Sequence, residues 1–553
     1  MSDSKECDVL ILGAGMAGGS LARQLKLAHP ELRIAVVDRK SDFDYWIGES
    51  TVEAWEDYAT RILKLGPYLN CHHIQKHGLR FFFDSKEKDL PIHEMSEFGR
   101  SWYHPLAARQ IDRAKFDRDL CAMNRQMGID VMLDTKVLGS GSSLSSHIRL
   151  DAKRGHEVDT SAGTIRCTYL VDCAGRSSPL VQMLDLSDEP GHPAGSYWAR
   201  YRGCRSVDEL GPETWRDRVN HTERWTSTNH FMYRGYWIWV IPVTDEITSI
   251  GVVFHHEIAP MSFKNGDELE AFFRSHRAID EIMGERPETI DFFGLKQMAR
   301  LAKQHFSEDR WALSGMSGTF LDPIGSTGCW LYAETNRFVG HLIQADLYDR
   351  DAVAVRRLVK HFNLMSRVRF TALREVFGQT YDLYGSFDTW MPMQASRLAA
   401  YFNRDLNDHL TDHSYFLNKI HDHGEDCGCS IDRILEPTAP LRKAIIRISR
   451  EMRDYLDRKN MYASANAGRW EAMERWEMRP SIQEKWRKPR DLRVEDNVDL
   501  ETYEMAFSFL LGRMAEIEGV PFNVEQFGKV FQRDFGAKQG LADALVALNK
   551  LRA

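Results

Sequence analysis

The feature that most constrains the fold is a glycine pattern near the N-terminus. Gly13, Gly15 and Gly18 form G-x-G-x-x-G directly after the apolar run 8–12 and just before the helix-like stretch 20–27. The first glycine permits a tight turn, the second lets the main chain approach a pyrophosphate, and the third lets helix and strand pack closely. The sequence therefore predicts a βαβ unit, a parallel sheet and a dinucleotide site at its first turn.

An acid at the end of the next strand supports this prediction. The strand-like run from Arg33 ends at Asp38, which lies 20 residues after Gly18. A carboxylate at this spacing is placed to bind a ribose diol. The N-terminus of the intervening helix, which contains Ala17, offers free N–H groups and a partial positive charge to phosphates. A chance cluster of glycines is the less favoured alternative.

Composition excludes several classes of protein. The length of 553 residues predicts two or three domains, and the hydrophobic fraction of 43% is that of a globular protein. A net charge of −8 argues against a dedicated nucleic-acid binder, which needs a basic surface. The apolar run 236–243 is too short to cross a bilayer, and no signal-peptide pattern precedes the first strand. We therefore expect a cytoplasmic protein with reduced cysteines and no membrane association.

The hydrophobic pattern changes near residue 346. Before it, strand-like runs recur, including a hairpin predicted across 234–254 with its turn at 245–246. After it, apolar residues such as Leu441, Ile445 and Ile448 recur at helical spacing. The predicted units are a mixed α/β body over 1–345, with an interleaved sheet at about 70–110 and 190–300, and a mostly helical region over 346–553 that covers the substrate pocket.

Two polar segments of the C-terminal region allow alternatives. His421, His423, Cys427 and Cys429 lie close together, so a metal site is one interpretation and a glycine-containing loop is the favoured one. The basic segment 485–493 is either a docking patch for an acidic carrier protein or, as favoured, part of an exposed connection.

Two further motifs resemble FAD monooxygenases of the hydroxybenzoate hydroxylase type. The segment 172–177, DCAGRS, resembles their D-A-x-G-x-x-S motif, and Gln110 to Arg113 resembles their Q-x-x-R motif. The resemblance implies a Rossmann-like FAD-binding domain with an inserted β-sheet substrate module, and FAD contacts from Gln110, Asp172 and Gly175. Because no second G-x-G-x-x-G follows, a separate flavin reductase is expected to supply the FAD in reduced form.

Four segments in order resemble flavin-dependent halogenases over roughly residues 5–345. They are IGESTV at 47–52, called the strap; QKHGLRF at 75–81, which contains Lys76; WIWVIP at 237–242; and FLDPIGSTG at 320–328. Singly, each has a plainer explanation: a helix cap, a surface lysine, or two tryptophans on one face of a strand. Their shared order favours the halogenase.

The resemblance implies a role for each segment. Lys76 would capture hypohalous acid at the far end of an internal passage, and the N–H groups of Thr327 and Gly328 would bind chloride or bromide. The flavin ring would lie beside the following residues: Gly48, Glu49, Ser50, Pro323 and Gly328. The nearby His72, His73 and His77 are favoured as loop residues without a role.

The sequence departs from the family at two positions. Gly325 stands where tryptophan halogenases have a glutamate that assists the lysine. Since a phenol oxygen donates electron density to its own ring, this absence favours a phenol over an indole. Ser314-Gly315-Met316 lacks the aspartate of many FAD hydroxylases, as tryptophan halogenases do, and so favours a halogenase.

Three functions follow in order of preference. The first is a halogenase that uses FADH2, O2 and halide on a small aromatic molecule. The second is an FAD-dependent monooxygenase or dehydrogenase of the same fold that acts on an aromatic or polyketide substrate. The third is a non-catalytic FAD-binding scaffold. A homodimer is left open.

Overall fold

The computed structural model describes residues 5–103, 106–220, 222–410, 439–463, 466, 468–474 and 500–523. The strands in these ranges are β1 (Lys5–Leu12), β2 (Ile34–Val37), β3 (Ile74–Lys76), β4 (Leu79–Phe83), β5 (Ser96–Gly99), β6 (Ala108–Gln110), β7 (Asp130–Met132), β8 (Ile148–Arg149), β9 (His156–Thr160), β10 (Gly163–Asp172), β11 (Ser187–Asp188), β12 (Ala194–Arg202), β13 (Thr228–Tyr233), β14 (Tyr236–Pro242), β15 (Ile247–His255), β16 (Glu288–Leu295), β17 (Arg300–Ala302), β18 (Trp311–Leu313), β19 (Thr319–Phe320) and β20 (Trp470–Ala472). The α-helices are α1 (Met16–Ala28), α2 (Glu53–Asp57), α3 (Gly66–His72), α4 (Arg113–Gln126), α5 (Leu144–His147), α6 (Pro179–Met183), α7 (Glu213–Arg216), α8 (Gly266–Arg274), α9 (Arg277–Met283), α10 (Thr327–Ile343), α11 (Ala352–Leu373), α12 (Phe387–Ala400), α13 (Leu406–Leu410), α14 (Ala439–Arg458) and α15 (Leu500–Glu518).

The sheet predicted around the glycine motif is present. Its strands run in the order β7-β2-β1-β10-β9-β8, and β18 also pairs with β10. β1 pairs in parallel with β2 and β10, β2 in parallel with β7, and β10 in parallel with β18. All four residues of β2 are buried, as expected for an apolar strand covered on both faces. The α/β fold class is therefore confirmed.

A second, eight-stranded sheet forms the other half of the body. Its order is β16-β12-β15-β14-β13-β4-β5-β20. The predicted hairpin is β14 and β15, which pair antiparallel. The last strand, β20, comes from the C-terminal region and pairs in parallel with β5. No sequence pattern predicted this addition, because three residues carry too little periodicity to mark a strand.

The C-terminal helices share a core with this sheet. One buried cluster contains Val52 after the strap, Trp198 on β12, Trp390 on α12, Met452 on α14 and Phe507 on α15. The helical character predicted beyond residue 346 is thus present among the described residues. The domain boundaries themselves stay a prediction.

Several predictions lie outside the described residues. These are the histidine–cysteine segment 421–429, the exposed connection 480–497 and the basic segment 485–493. In the part of the chain that the structure describes, no helix combines the length and apolar character that a membrane span requires.

Candidate functional site

The glycine loop, residues 13–18, joins β1 to α1. Gly13 has a φ of +101°, and a Cβ atom there would lie 2.5 Å from the carbonyl oxygen of Cys173. A Cβ on Gly18 would lie 1.9 Å from the carbonyl oxygen of Gly13. At Gly15, which begins α1 without a side-chain cap, the nearest atom to a Cβ would be 4.0 Å away, on Asp117. Two glycines are thus required by packing, and the third borders open space at a helix N-terminus.

Asp38 lies directly after β2 and beside this loop. Its Oδ2 accepts a hydrogen bond of 2.8 Å from the N–H of Ala14, and its Oδ1 accepts one of 2.9 Å from Lys40. The carboxylate is half-buried, so it supports the loop while keeping an accessible edge. Ala17 faces a second turn, since a Cβ on Gly315 would lie 3.0 Å from the Ala17 side chain.

The side chain of Asp172 is used in structural hydrogen bonds, and the FAD contact expected for this residue stays a prediction. The carboxylate is fully buried, and its Oδ2 accepts hydrogen bonds from Ser178 Oγ (2.6 Å) and the N–H of Leu180 (2.9 Å). Its Oδ1 accepts two more, from the N–H of Ala174 and from Ser317. These bonds hold the loop in which Gly175 adopts a φ of +63°.

The strap is fixed by the arginine of the Q-x-x-R motif. Arg113 Nη1 donates a 2.7 Å hydrogen bond to the carbonyl of Ile47, and Nη2 forms an ion pair of 2.8 Å with Asp117. Gly48 has a φ of +96°, and a Cβ there would lie 2.8 Å from Arg113 Nη1. Arg113 was part of the quoted motif but not of the predicted site, and the structure gives it this positioning role.

Glu49 anchors the strap to the antiparallel sheet. Its carboxylate forms a buried ion pair of 2.7 Å with Arg200 on β12. Burial raises the pKa of the Glu49 carboxyl, and the charge of Arg200 opposes that shift. The main-chain carbonyl of Glu49 accepts a 2.6 Å hydrogen bond from Ile111. The side chain thus positions the strap, and the flavin contact expected for Glu49 stays a prediction.

Ser50 is a hydrogen-bonding centre that joins three segments. Its Oγ lies 2.6 Å from Thr228 Oγ1 on β13 and 2.8 Å from Ser326 Oγ, and it accepts a 2.9 Å bond from Lys76. The fully buried Gln110 donates a 3.1 Å bond to the same Thr228 hydroxyl. The structure thus brings four segments named by the sequence motifs into one cluster.

The S-T-G loop, residues 322–328, leads into α10. Gly325 and Ser326 follow Pro323 and have φ values of +74° and +57°, so the chain turns through two left-handed residues. Thr327 and Gly328 then form the first turn of α10, whose N-terminus has no side-chain cap. The first N–H groups of a helix have no partner within it, and they favour an anion. The arrangement suits the halide contact predicted for this pair.

Asp322 connects this loop to the C-terminal region. Its Oδ2 accepts a 2.5 Å hydrogen bond from the Tyr381 hydroxyl and lies 2.8 Å from Nε2 of His192, while Oδ1 accepts from the N–H of Ile324. The indole N–H of Trp237, the first tryptophan of the W-x-W motif, donates a 3.1 Å bond to Tyr381. Sequence patterns missed Tyr381 and His192, because neither lies in a recognisable motif.

Lys76, at the end of β3, is buried and has three acceptors. Its Nζ donates to Thr51 O (2.6 Å), Ser50 Oγ (2.9 Å) and Ser326 Oγ (3.4 Å). Burial lowers the pKa of this lysine to about 8, and the negative charge of Glu53 partly offsets the effect. The ammonium is thus placed against the S-T-G loop and away from bulk solvent.

Glu53 follows the strap directly and begins α2. Its Oε2 accepts a 3.1 Å hydrogen bond from the Tyr401 hydroxyl. Its negative charge raises the pKa of Lys76 against the effect of burial. Sequence analysis missed Glu53, because it comes from a different element than the position where the family pattern has its acid.

The nearby imidazoles are held neutral by burial. His230 on β13 has its pKa lowered to about 3, and its ring stacks on Phe81 at 4.5 Å. Burial also lowers the pKa of His73, to about 4, and that of His77. His72 is exposed beside Tyr68. The Lys76 ammonium bonds to Ser50, Thr51 and Ser326 and to none of the three predicted loop histidines.

An aromatic wall borders the lysine strand. Trp390 on α12 packs on Phe81 and Phe83 of β4, at ring distances of 4.1 and 5.5 Å. Trp237 and Trp239 are also buried, with ring centroids 5.9 Å apart. Apolar walls with a few polar groups are typical of sites for small aromatic molecules.

Proteins with known activities resemble this chain. Halogenase chlA of Dictyostelium discoideum, a flavin-dependent enzyme, is 29% identical over 357 residues, which is 59% of this chain and 58% of that protein. Tetracycline 7-halogenase of Kitasatospora aureofaciens is 25% identical over 358 residues, 58% of this chain and 60% of that protein. The relatives of this chain are flavin-dependent halogenases. This confirms the resemblance inferred from the four motifs, although the chain spans less than two thirds of the length of both relatives.

The fold is shared with a solved halogenase. The structure of halogenase PltM in complex with phloroglucinol and FAD has a TM-score of 0.61, covers 95% of each chain and is 15% identical. No protein-family model matches the chain. The match to PltM extends over most of the helical region, because it covers 95% of this chain.

Proposed function

We propose that this protein is an FADH2-dependent halogenase that oxidises chloride or bromide with O2 and halogenates a small, electron-rich aromatic molecule, a phenol in particular. The observation that carries the proposal is the contact of Lys76 with both the strap and the S-T-G loop. Ser326 lies 250 residues after Lys76, so the fold and not the local chain brings the S-T-G loop to the lysine.

The residues present fit FAD. A pyrophosphate would lie at the uncapped N-terminus of α1, where Gly15 leaves open space, and its ribose would lie at the accessible edge of Asp38. The rest of the FAD would extend from there toward the S-T-G loop, past Ala17, Gly175, Gly48 and Ser50. When bound in reduced form, FAD supplies with O2 the oxidising equivalent that converts halide to hypohalous acid.

The first turn of α10 would hold the halide. The N–H groups of Thr327 and Gly328 lie at a helix N-terminus that no side chain caps. A chloride or bromide there gains from unpaired donors and from the helix dipole, without an acid that would repel it. Pro323 and the two left-handed residues after it keep this turn in place.

Lys76 would hold hypohalous acid as a hydrogen-bonding cation. Thr51 O and Ser50 Oγ hold the Nζ at 2.6 and 2.9 Å, and the third N–H has only a 3.4 Å contact with Ser326 Oγ, so this donor can turn to hypohalous acid. With a pKa of about 8, roughly nine tenths of the amine is protonated at pH 7. The ammonium polarises the oxygen–halogen bond, and the oxidised halogen reaches the aromatic guest instead of solvent.

A phenol is the favoured substrate. Gly325 brings no carboxylate to the lysine, and Glu53 acts on it only from α2. A phenol needs less assistance than an indole, because its own oxygen stabilises the cationic intermediate by losing a proton. That PltM was solved with phloroglucinol, a phenol, supports the same substrate class. A separate flavin reductase would supply FADH2.

The decisive experiment is Lys76→Ala in the flavin-loaded protein. Product masses are measured after incubation with a flavin reductase, O2, bromide and simple phenols. We expect the brominated product to fall at least about hundredfold, the equivalent of roughly 2.7 kcal/mol in the barrier, while flavin binding persists. Lys86→Ala, at an exposed lysine, is the matched control and should keep wild-type product.

Three outcomes would reject the proposal or a part of it. Bromination by Lys76→Ala at the wild-type rate would remove the lysine from the reaction. Oxygenated product without halide would identify a monooxygenase of the same fold. Tight flavin binding without turnover in any reaction mixture would identify a scaffold.

A further inference from the structure

A cleft beside His192 and Tyr381, the partners of Asp322, is otherwise lined by residues without an assigned role. Its volume is about 950 Å³, and the lining includes Arg176, His192, Gln297, Arg300 and Tyr381. No residue of the glycine loop, the strap or the first turn of α10 is among the residues that line it. The cleft is large enough for a cofactor-sized molecule.

Two adjacent arginines in this cleft form no ion pair with any carboxylate in the described ranges. Arg176 Nη1 donates a 3.0 Å hydrogen bond to the carbonyl of Met298, and the guanidinium of Arg300 donates to the carbonyl of Arg176. Both side chains are half-buried. Each guanidinium has five N–H donors, so most of them are free for a ligand.

The charge of this pair is not balanced by the protein. Burial lowers the pKa of both arginines, and Arg176 lowers that of Arg300 further, against an opposite effect from the buried Asp172. Two like charges at one half-buried place cost free energy, which an anion would recover.

Of the four carboxylates that line the cleft, two form ion pairs with other arginines and two are exposed to solvent. Asp382 pairs with Arg450 at 3.2 Å and also with Arg453. Asp188 pairs with Arg367 at 3.3 Å. The remaining two, Glu189 and Glu257, are exposed. The cleft therefore presents an unpaired positive centre at the arginines.

His192 adds an unsatisfied polar atom. Its side chain is fully buried, Nε2 lies 2.8 Å from Asp322, and Nδ1 has no hydrogen-bond partner among the described residues. Gln297 donates a 2.9 Å bond to the His192 carbonyl. His192 thus connects the wall of the cleft to Asp322, while the donors open to a ligand are those of the two arginines.

We propose that this cleft binds a phosphate-bearing ligand, with the phosphate on Arg176 and Arg300. Guanidinium groups match phosphate oxygens in a two-point geometry, and a pair of them suits a phosphate monoester or diphosphate. The volume of about 950 Å³ exceeds that of a phosphate alone, so the rest of the ligand is an organic group such as a nucleoside or a pantetheine arm. The inference does not depend on halogenation.

Binding is tested by calorimetry on the flavin-loaded protein, so that the glycine loop is already occupied. The probes are inorganic diphosphate, ADP and 4′-phosphopantetheine. We expect saturable binding of at least one probe without release of flavin. Stronger binding of ADP would identify a nucleotide as the source of the phosphate, and stronger binding of phosphopantetheine would identify a carrier arm.

The double variant Arg176→Gln/Arg300→Gln should weaken that binding by about tenfold or more. The double substitution by lysine keeps both charges and should restore part of the affinity, which separates the lost charge from misfolding. Arg286→Gln, at an exposed arginine, is the control. Absence of binding by all three probes, full binding by the glutamine variant, or binding only with displacement of flavin would overturn the proposal.

Discussion

The glycine loop and the S-T-G loop are both strand-to-helix turns with an uncapped helix N-terminus, but they are held in different ways. The first is supported by neighbours that the βαβ unit itself brings close, Cys173 on the adjacent strand end and Asp38 on the next strand. The second is held by Ser50, Lys76 and Tyr381, which come from three distant segments. A ligand-binding turn can thus be held by its neighbours within one βαβ unit, as the glycine loop is, or by residues from distant parts of the chain, as the S-T-G loop is.

The largest effect is expected from a change in the glycine loop. Gly13→Ala would place a Cβ 2.5 Å from the Cys173 carbonyl at a φ of +101°. We expect flavin affinity, measured by fluorescence titration, to fall by about hundredfold or more, the equivalent of roughly 3 kcal/mol. Gly203→Ala is the matched control, since its φ is +87° but no atom lies within 4 Å of its Cβ. Equal losses in both variants would mean that backbone strain alone is responsible.

A smaller effect is expected from a change that loosens the S-T-G loop. Tyr381→Phe removes the 2.5 Å hydrogen bond to Asp322 and keeps the ring. We expect the affinity for bromide to fall by about fivefold to tenfold with flavin affinity unchanged, because one donor to a buried carboxylate is lost. Bromide is titrated against the absorbance of the bound flavin without turnover.

Tyr384→Phe is the control for this variant, because that neighbouring ring stacks on Tyr381 at 4.6 Å and its hydroxyl bonds to Thr380, Arg397 and the Phe377 carbonyl instead of Asp322. If both variants weakened bromide binding equally, the loss would come from packing in the C-terminal region rather than from Asp322.

The smallest effect concerns the charge on Lys76. If the cationic form is needed, the rate of halogenation falls as pH rises through the pKa of about 8. Glu53→Gln removes a negative charge that raises this pKa, so the decline should begin at lower pH, by roughly half a unit to one unit. The pH dependence is measured under single-turnover conditions, with Glu87→Gln at an exposed position as control.

A rate that rises through pH 8 would instead identify the neutral amine as the reactive form. A Glu53→Gln profile that overlays the wild-type profile would show that Glu53 does not act on the lysine during the reaction.

The sequence alone determined the local parts of this protein. The strands around the glycine motif and the β14–β15 hairpin followed from short-range patterns, because apolar periodicity and glycine spacing reflect local backbone geometry. Lys76 was expected only from the resemblance to halogenases, and the structure places its side chain against the strap and the S-T-G loop. The motifs did not show that the side chains of Glu49 and Asp172 form buried structural contacts, since a motif records which residue is present and not which partner its side chain finds.

Only the tertiary structure decided the contacts between distant segments. Tyr381, His192 and Glu53 reach the site from elements without a recognisable motif, and the arginine cleft joins residues separated by more than one hundred positions. Such contacts arise because the packing of a shared core fixes the positions of helices and strands relative to one another. That packing depends on the whole chain and not on any short segment of it.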